Sequence, residues 1–206
     1  MARVSPEHLE ARRRQIIDGA ARCFTRNGFH ATSMQDVLRE VGLSAGAVYR
    51  YFSGKEELIA AIVGEAFDAI RGAFEEAARQ SPPPPPDELL GHVLRTVLPG
   101  KVGADSRDEF TRLIVQVWAE TLRSEELAQP LREGFRRMRG SWAEVVDAYR
   151  EAGIMPADVP ADHVARTMMA VAQGFIAQAA LFGDARVEQI EDGLKALMSM
   201  QVPKPS

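Results

Sequence analysis

The stretch TSMQDVLREVGLSAGAVYRYFSGKEEL, from Thr32 to Leu58, decides the fold. Thr32 with Gln35 spells a T-x-x-Q capping box, which opens a short helix through Glu40. Gly42 breaks that helix, because glycine adopts a left-handed turn at no steric cost. Ser44 supplies the N-cap of a second short helix reaching about Tyr51. A third start follows at once, where Ser53 or Gly54 caps a helix whose first turn carries Glu56 and Glu57, and negative charge is favoured there. Two short helices around Val41-Gly42-Leu43 have the size and order of a helix-turn-helix. Val37, Leu38, Leu43, Val48 and Phe52 give the pair an apolar side that packs against Phe24 and Leu58.

The rest of the chain reads as helix as well, with no strand and no internal repeat. Upstream, residues 8 to 27 place Ile16, Ile17, Ala20, Ala21 and Phe24 on one side, and Gly28 follows as a C-cap. Downstream, the helix begun near Lys55 carries Leu58, Ile62, Phe67, Ile70 and Phe74 and runs to about Gln80. The five prolines in SPPPPPDE, residues 81 to 88, cannot continue it. They form a stiff surface loop or a polyproline ligand for a proline-recognising domain. Further helices are expected over residues 88–98, ended by Pro99 and Gly100, and over 107–123, which presents Phe110, Ile114, Val117, Trp118 and Leu122. Pro130 places residues 125–129 in a short turn before a helix from Pro130 to Glu151. The last two helices span about 162–182 and 185–201, with Gly183 ending the first and Asp184 capping the second.

The first of these carries two apolar rows. Val164, Met168, Val171, Phe175, Ala179 and Phe182 form one; Ala165, Met169, Ala172, Ile176 and Ala180 lie beside it. One row can serve the subunit core and the other a second subunit, with Val187, Ile190, Leu194 and Leu197 of the final helix completing a four-helix dimer interface. The alternative is one large bundle with an interior helix.

With 46% hydrophobic and 26% charged residues the composition is that of a globular chain, not a disordered one. A single cysteine, Cys23, excludes a disulfide framework and sits in an apolar helical stripe as a core thiol. There is no apolar run of membrane-spanning length and no secretory signal, so a cytoplasmic protein is expected. No Gly-rich phosphate loop, Ser-His-Asp set or metal spacing appears, so neither enzyme activity nor a cofactor nor a metal is expected. A net charge of −4 argues weakly against nucleic acid, but the charge is divided. Residues 1–55 hold nine Arg or Lys against five acids, while the remainder is net −8. A basic head on an acidic body fits a local anion-binding surface.

In the second short helix Ala45, Tyr49 and Arg50 are free to face outward, and Ala45 and Gly46 permit close approach to a major groove. Thr32 and Lys55, each at a helix start, are placed to meet the flanking phosphates. Tyr49 would touch a thymine methyl or donate to phosphate, and Arg50 would read guanine or clamp phosphate. The alternative for Tyr49, Tyr51 and Phe52 is an aromatic plug in a three-helix core, the favoured reading for Phe52.

These residues resemble the TetR family of bacterial transcriptional regulators. The resemblance rests on Thr32, Gly42-Leu43-Ser44, Gly46, Tyr49, Tyr51-Phe52 and Lys55-Glu56-Glu57-Leu58, with Ile16, Ala20, Phe24 and Gly28-Phe29 upstream, and covers about residues 12 to 62. It implies an all-α fold, in which an N-terminal three-helix helix-turn-helix DNA-binding head (residues 1–55) is joined to a larger helical-bundle ligand-binding and dimerisation domain (56–206). It implies phosphate contacts at Thr32 and Lys55 and groove-facing positions at Ala45, Ala47, Tyr49 and Arg50, with Ser33 and Ser44 at the helix starts in the same set. Val41 stands where the family often has alanine, a packing change. The stretch from Trp118 to Leu127, with Trp142, is similar to the subgroup of the choline-responsive regulator.

The implied function is that of a homodimeric repressor on a palindromic operator, released by a small molecule. The implied effector site draws on Phe110, Ile114, Trp118, Phe135 and Met138, and on Trp142, Tyr149, Met168, Met169 and Phe175. Such aromatic and Met-rich side chains suit an apolar or aromatic effector, or a cationic one through cation–π contact. Side chains of these types at helical spacing more often serve as core than as ligand contacts. A helical dimeric scaffold with a vestigial head is the alternative function.

Overall fold

The computed structural model describes residues 5–98 and 107–200. Among them are nine helices: α1 (Pro6–Asn27), α2 (Met34–Val41), α3 (Ala45–Tyr49), α4 (Lys55–Ala78), α5 (Pro86–Val97), α6 (Arg107–Thr121), α7 (Glu125–Glu151), α8 (Ala161–Phe182) and α9 (Val187–Met198). No strand occurs among the described residues, so the fold is all-α. The expected helix end at Pro99-Gly100, the loop after it and the final residue Gln201 lie outside the described residues. Among those described, no helix is long and apolar enough to cross a membrane.

The chain packs as two compact units, one of residues up to Asp68 with Leu98–Phe135, the other of Ala69–Val97 with residues from Arg136 on. In the first, Ile16, Ile17, Ala20 and Phe24 of α1 are fully buried with Val37, Val48 and Leu58. Each buried Ile, Leu or Phe contributes roughly 1.5–3 kcal/mol, which is how helices as short as α2 and α3 persist. Leu113 and Val117 of α6 and Leu127 of α7 join the same cluster. In the second unit α5 packs on α9 and α8. Arg95 of α5 bonds both carboxylate oxygens of Glu191, with Nη1–Oε1 at 2.8 Å, and also reaches Glu188 on α9. Phe74 of α4 packs against Trp142 of α7 with the rings tilted by 60° and centroids 4.7 Å apart.

Several expected boundaries shift, each for a local reason. The capping box of α2 is Ser33 with Asp36, not Thr32 with Gln35, because Thr32 is buried against the end of α1. α5 begins at Pro86, inside the proline run, since proline's preset φ and missing N–H suit a first turn. α7 is continuous through Pro130. Its start is held by Ser124, whose oxygens accept from the Leu127 and Ala128 N–H groups, and burial of Leu127, Ala128 and Leu131 offsets the one lost donor. α9 starts at Val187 rather than after Asp184, because Ala185 and Val187 are buried and Gln189 accepts the Arg186 N–H at 2.8 Å. Leu122, expected in the apolar row of α6, falls past its end and is 87% exposed.

Candidate nucleic-acid interface

The turn between α2 and α3 is built on Gly42, whose φ of +65° lets its N–H cap Leu38. Ser44 then caps α3, its hydroxyl accepting from the Ala47 N–H at 3.4 Å. A five-residue helix has one inward position, and Val48 fills it at full burial. Phe52 follows it into the core, while Tyr51 is half-buried. The opposite face carries Ala45, Gly46, Tyr49 and Arg50, all exposed, with Ala47 half-exposed beside them. Nothing lies within 4 Å of where a Cβ on Gly46 would stand, so the tip of α3 is open to a close-fitting surface. Arg50 has no ion-pair partner among the described residues.

Two hydroxyls of the expected DNA-binding set, Thr32 on phosphate and Ser33 beside it, are bonded within the protein. Thr32 is 1% exposed, and its Oγ1 lies 2.8 Å from the Gly28 carbonyl and 3.2 Å from that of Cys23, to which it donates. It anchors the end of α1, so its side chain does not face a phosphate. Ser33 stays exposed, but Asp36 accepts from both its N–H and its hydroxyl. Those bonds, ahead of the Arg39 guanidinium, hold the Asp36 carboxyl below the usual carboxylate range. Lys55 is half-buried; its ammonium donates to the Phe29 carbonyl at 3.1 Å and rests 4.6 Å from the Phe29 ring centroid. One of its three protons is used, leaving the others for an anion.

α2 is held on α1 by charge. Glu40 of α2 accepts from Arg22 Nε at 2.8 Å and Arg26 Nη2 at 3.0 Å, and these two bonds pull its carboxyl below the usual range. The Gln15 amide donates to the Val41 carbonyl at 3.0 Å and closes the C-terminus of α2. On the other side of the head, Gln116 and Glu120 of α6 reach the turn between α1 and α2, accepting from the Phe29 N–H at 3.2 Å and pairing with His30 Nε2 at 2.6 Å. No sequence pattern announces partners 87 and 90 residues apart.

The expected effector residues are scattered through both units. Phe110 is buried in the first, where Phe135 meets Phe67 edge-on at 5.3 Å and Ile114 and Trp118 are half-buried. In the second, Trp142, Tyr149, Met168 and Phe175 are at most 5% exposed, while Met138 and Met169 are half-buried. The Tyr149 hydroxyl donates to the Pro84 carbonyl at 2.6 Å, and burial pushes its pKa up. That bond and the burial of Pro83 pin the proline run to the protein. An open cleft of about 230 Å³ lies between the last turns of α4 and the start of α5, over Ala73, Ala77 and Leu89, and contains none of the expected effector residues. Of the expected dimer residues, Met168, Phe175 and Val187 are buried within the chain, so they serve its own core. Phe182 and Leu197 are 70% and 65% exposed, and Val164, Val171, Ile190 and Leu194 are half-buried.

Two helices joined by a left-handed glycine, with a tyrosine and an arginine exposed at the end of the second, have the arrangement of a helix-turn-helix. The family model of bacterial regulatory proteins of the TetR family matches residues 16–62, and that of the C-terminal part of BetI-type transcriptional repressors matches residues 86–202. The chain therefore belongs to the TetR family of bacterial transcriptional regulators. It is 30% identical over 189 residues to the HTH-type transcriptional repressor Rv1474c of Mycobacterium tuberculosis, covering 87% of this chain and 88% of that one. With the repressor AcnR of Corynebacterium diphtheriae it shares 29% identity over 184 residues, 88% of this chain and 87% of the other. The solved structure of Salmonella enterica GusR matches with a TM-score of 0.74 at 23% identity, covering 97% of this chain and all of that one. At that identity the likeness shows a common fold.

Proposed function

We propose that the chain represses transcription by binding a palindromic operator as a homodimer and is released when an apolar or aromatic small molecule binds its helical body. The carrying observation is the tip of α3, where Tyr49 and Arg50 stand exposed beside the open Gly46 while Val48 and Phe52 lock the helix from within. Residues 1–55 carry DNA binding in this reading, and residues 56–206 effector binding and dimerisation. The printed descriptions of similar proteins as repressors support the sign of regulation. DNA contacts fall to Ser44, Ala45, Ala47, Tyr49, Arg50 and Lys55, with the exposed Ser33 at the edge. Apolar surface left open at Phe182 and Leu197 supports pairing through α8 and α9, with Val164, Val171, Ile190 and Leu194 at its margin. Ile114, Trp118, Met138 and Met169 keep surface on which a ligand can act.

The test is selection from a random duplex library at about 0.15 M salt, where specific binding still stands clear of non-specific binding. An enriched inverted repeat, bound by wild type and weakened in Tyr49→Ala and Lys55→Ala, is expected. Equal, negligible binding by all three folded proteins would overturn the reading and leave the dimeric scaffold with a vestigial head.

A further inference from the structure

We propose that the open cleft between the last turns of α4 and the start of α5 binds a small primary amine with an apolar body, at a place separate from the expected effector residues. The proposal stands apart from the regulator reading, because it concerns binding to the protein without DNA. Ala73 and Ala77 of α4 and Leu89 of α5 form the floor of the cleft, and all three are at most 5% exposed. Two alanines one helical turn apart leave the depression, which larger side chains at those positions would fill. Glu76 and Gln80 stand beside them on α4, and Glu88 and His92 on α5, all four exposed. Pro84 completes the lining, and the Tyr149 hydroxyl holds its carbonyl, so this part of the wall is fixed.

Charge and shape together select the ligand. The lining carries two carboxylates and no lysine or arginine, and neither Glu76 nor Glu88 has an ion-pair partner among the described residues. The α4 wall is the C-terminal end of a long helix with no basic residue in its last turn, so its carbonyls add negative potential. A cleft of one sign over an apolar floor concentrates cations and repels anions. A primary ammonium has three donors for the acceptors on the two walls, which are the carboxylates and the Gln80 amide oxygen. A quaternary ammonium has none and binds on aromatic faces, and no phenylalanine, tyrosine or tryptophan lines the cleft. The volume of about 230 Å³ sets the size. Since a cavity of about 150 Å³ holds benzene, this one takes about nine non-hydrogen atoms.

The experiment titrates the methyl-labelled full chain with phenethylamine, a ligand of that size, and follows the methyl signals of Ala73, Ala77 and Leu89. Saturable shifts at these three are expected, with a dissociation constant on the order of 1 mM. Phenethyl alcohol keeps the body without the charge and should bind at least about threefold more weakly, and phenylacetate, of opposite charge, should leave the three signals unmoved. The N-trimethylated amine keeps the charge without the donors and should also bind more weakly. Glu76→Gln and Glu88→Gln should each weaken the amine about two- to fivefold. Glu75→Gln removes a carboxylate that pairs with Arg71 and does not line the cleft, and should leave affinity unchanged. The proposal is overturned by shifts centred on Trp118 or Trp142 instead, by equal affinity for amine and alcohol, by equal loss in all three variants, or by no shift at about 10 mM. Equal affinity for the trimethylated compound would overturn the assignment to a primary amine. None of these readings uses a duplex, so the operator selection and this titration succeed or fail separately.

Discussion

Alanine at Gly19 should destabilise the head although it improves the helix. Gly19 lies in α1 against the last turn of α2, and a Cβ built there overlaps Val41 Cγ1, far inside the contact distance of about 3.5 Å. Arg22 Nη2 at 3.5 Å and Glu40 Cγ at 3.6 Å are ordinary contacts, so Val41 is the obstacle. Valine is stiff at χ1, and this one is 6% exposed with its carbonyl bound by Gln15, so the strain passes to the backbone of α2. Overpacking of this kind costs about 1–3 kcal/mol, against a helix gain of about 0.5–1 kcal/mol for alanine over glycine. The net is a loss of up to about 2.5 kcal/mol, and because α2 carries α3, affinity for the proposed operator should fall as well. Gly72→Ala in α4 is the control, since nothing lies within 4 Å of its Cβ position. It should stabilise by about 0.5–1 kcal/mol. Urea unfolding of both variants measures the pair of effects. A Gly19→Ala protein as stable as Gly72→Ala would refute the close-packing argument.

Arg50→Ala decides between its two roles by titration of the selected duplex in salt. A phosphate clamp lost from each subunit makes the log–log slope shallower by about 2, whereas a lost base contact relaxes preference at one position of each half-site with the slope kept. Glu40→Gln should be less stable than wild type at pH 7. Because Arg22 and Arg26 lower the folded-state pKa of Glu40, its contribution is fully present above the unfolded value near 4.3 and is lost as pH falls through the lower folded value. Urea midpoints of the two proteins should therefore draw together as pH falls through the acid range below that unfolded value, and a gap that stays constant throughout it would refute the charge-based account. Tyr149→Phe removes the donor that holds Pro84 and should cost about 1 kcal/mol in urea unfolding, with fewer losses if the proline run were a free surface loop.

Signals confined to one turn of chain were legible in the sequence. Gly28, Gly42 and Gly183 end helices, and Ser44 starts one, because each condition is met by a single residue and its immediate neighbours. Thr32 and Ser33 show the limit. Both are good caps with a hydrogen-bonding side chain three residues on, and only the burial of Thr32 against α1 decides between them. Pro130 shows another, since its local rule predicts a break and tertiary burial overrides it. In α8 the sequence offers two apolar rows, yet the chain buries Ala165, Met168, Phe175 and Ala179, a stripe drawn from both. What selects that stripe is the packing of other helices, which periodicity within α8 does not contain. Gln116 and Glu120 are ordinary surface types in the sequence, and their bonds to Phe29 and His30 arise only from the fold.

The head's positive charge can be counted more closely from the structure than from composition, and the count fixes how strongly salt should weaken the operator complex. Arg13, Arg22, Arg26 and Arg39 are each within ion-pair distance of a carboxylate of the same unit, Glu65, Glu40 or Asp36. A cation neutralised by its own protein releases no net phosphate counterion unless that pair opens. Arg12, Arg14, Arg50 and Lys55 have no such carboxylate partner among the described residues. If each of these four met a phosphate, about eight contacts in the proposed dimer would give a log–log salt slope near −7, whereas all nine basic residues of 1–55 would give about −16. Exposed pairs are worth only about 0–1 kcal/mol, so phosphates are able to compete for the arginines. A slope steeper than about −12 would mean that the clamps on Glu40 and Asp36 open on binding, and α2 would then have to shift against α1. A slope near zero would remove the electrostatic basis of recognition altogether.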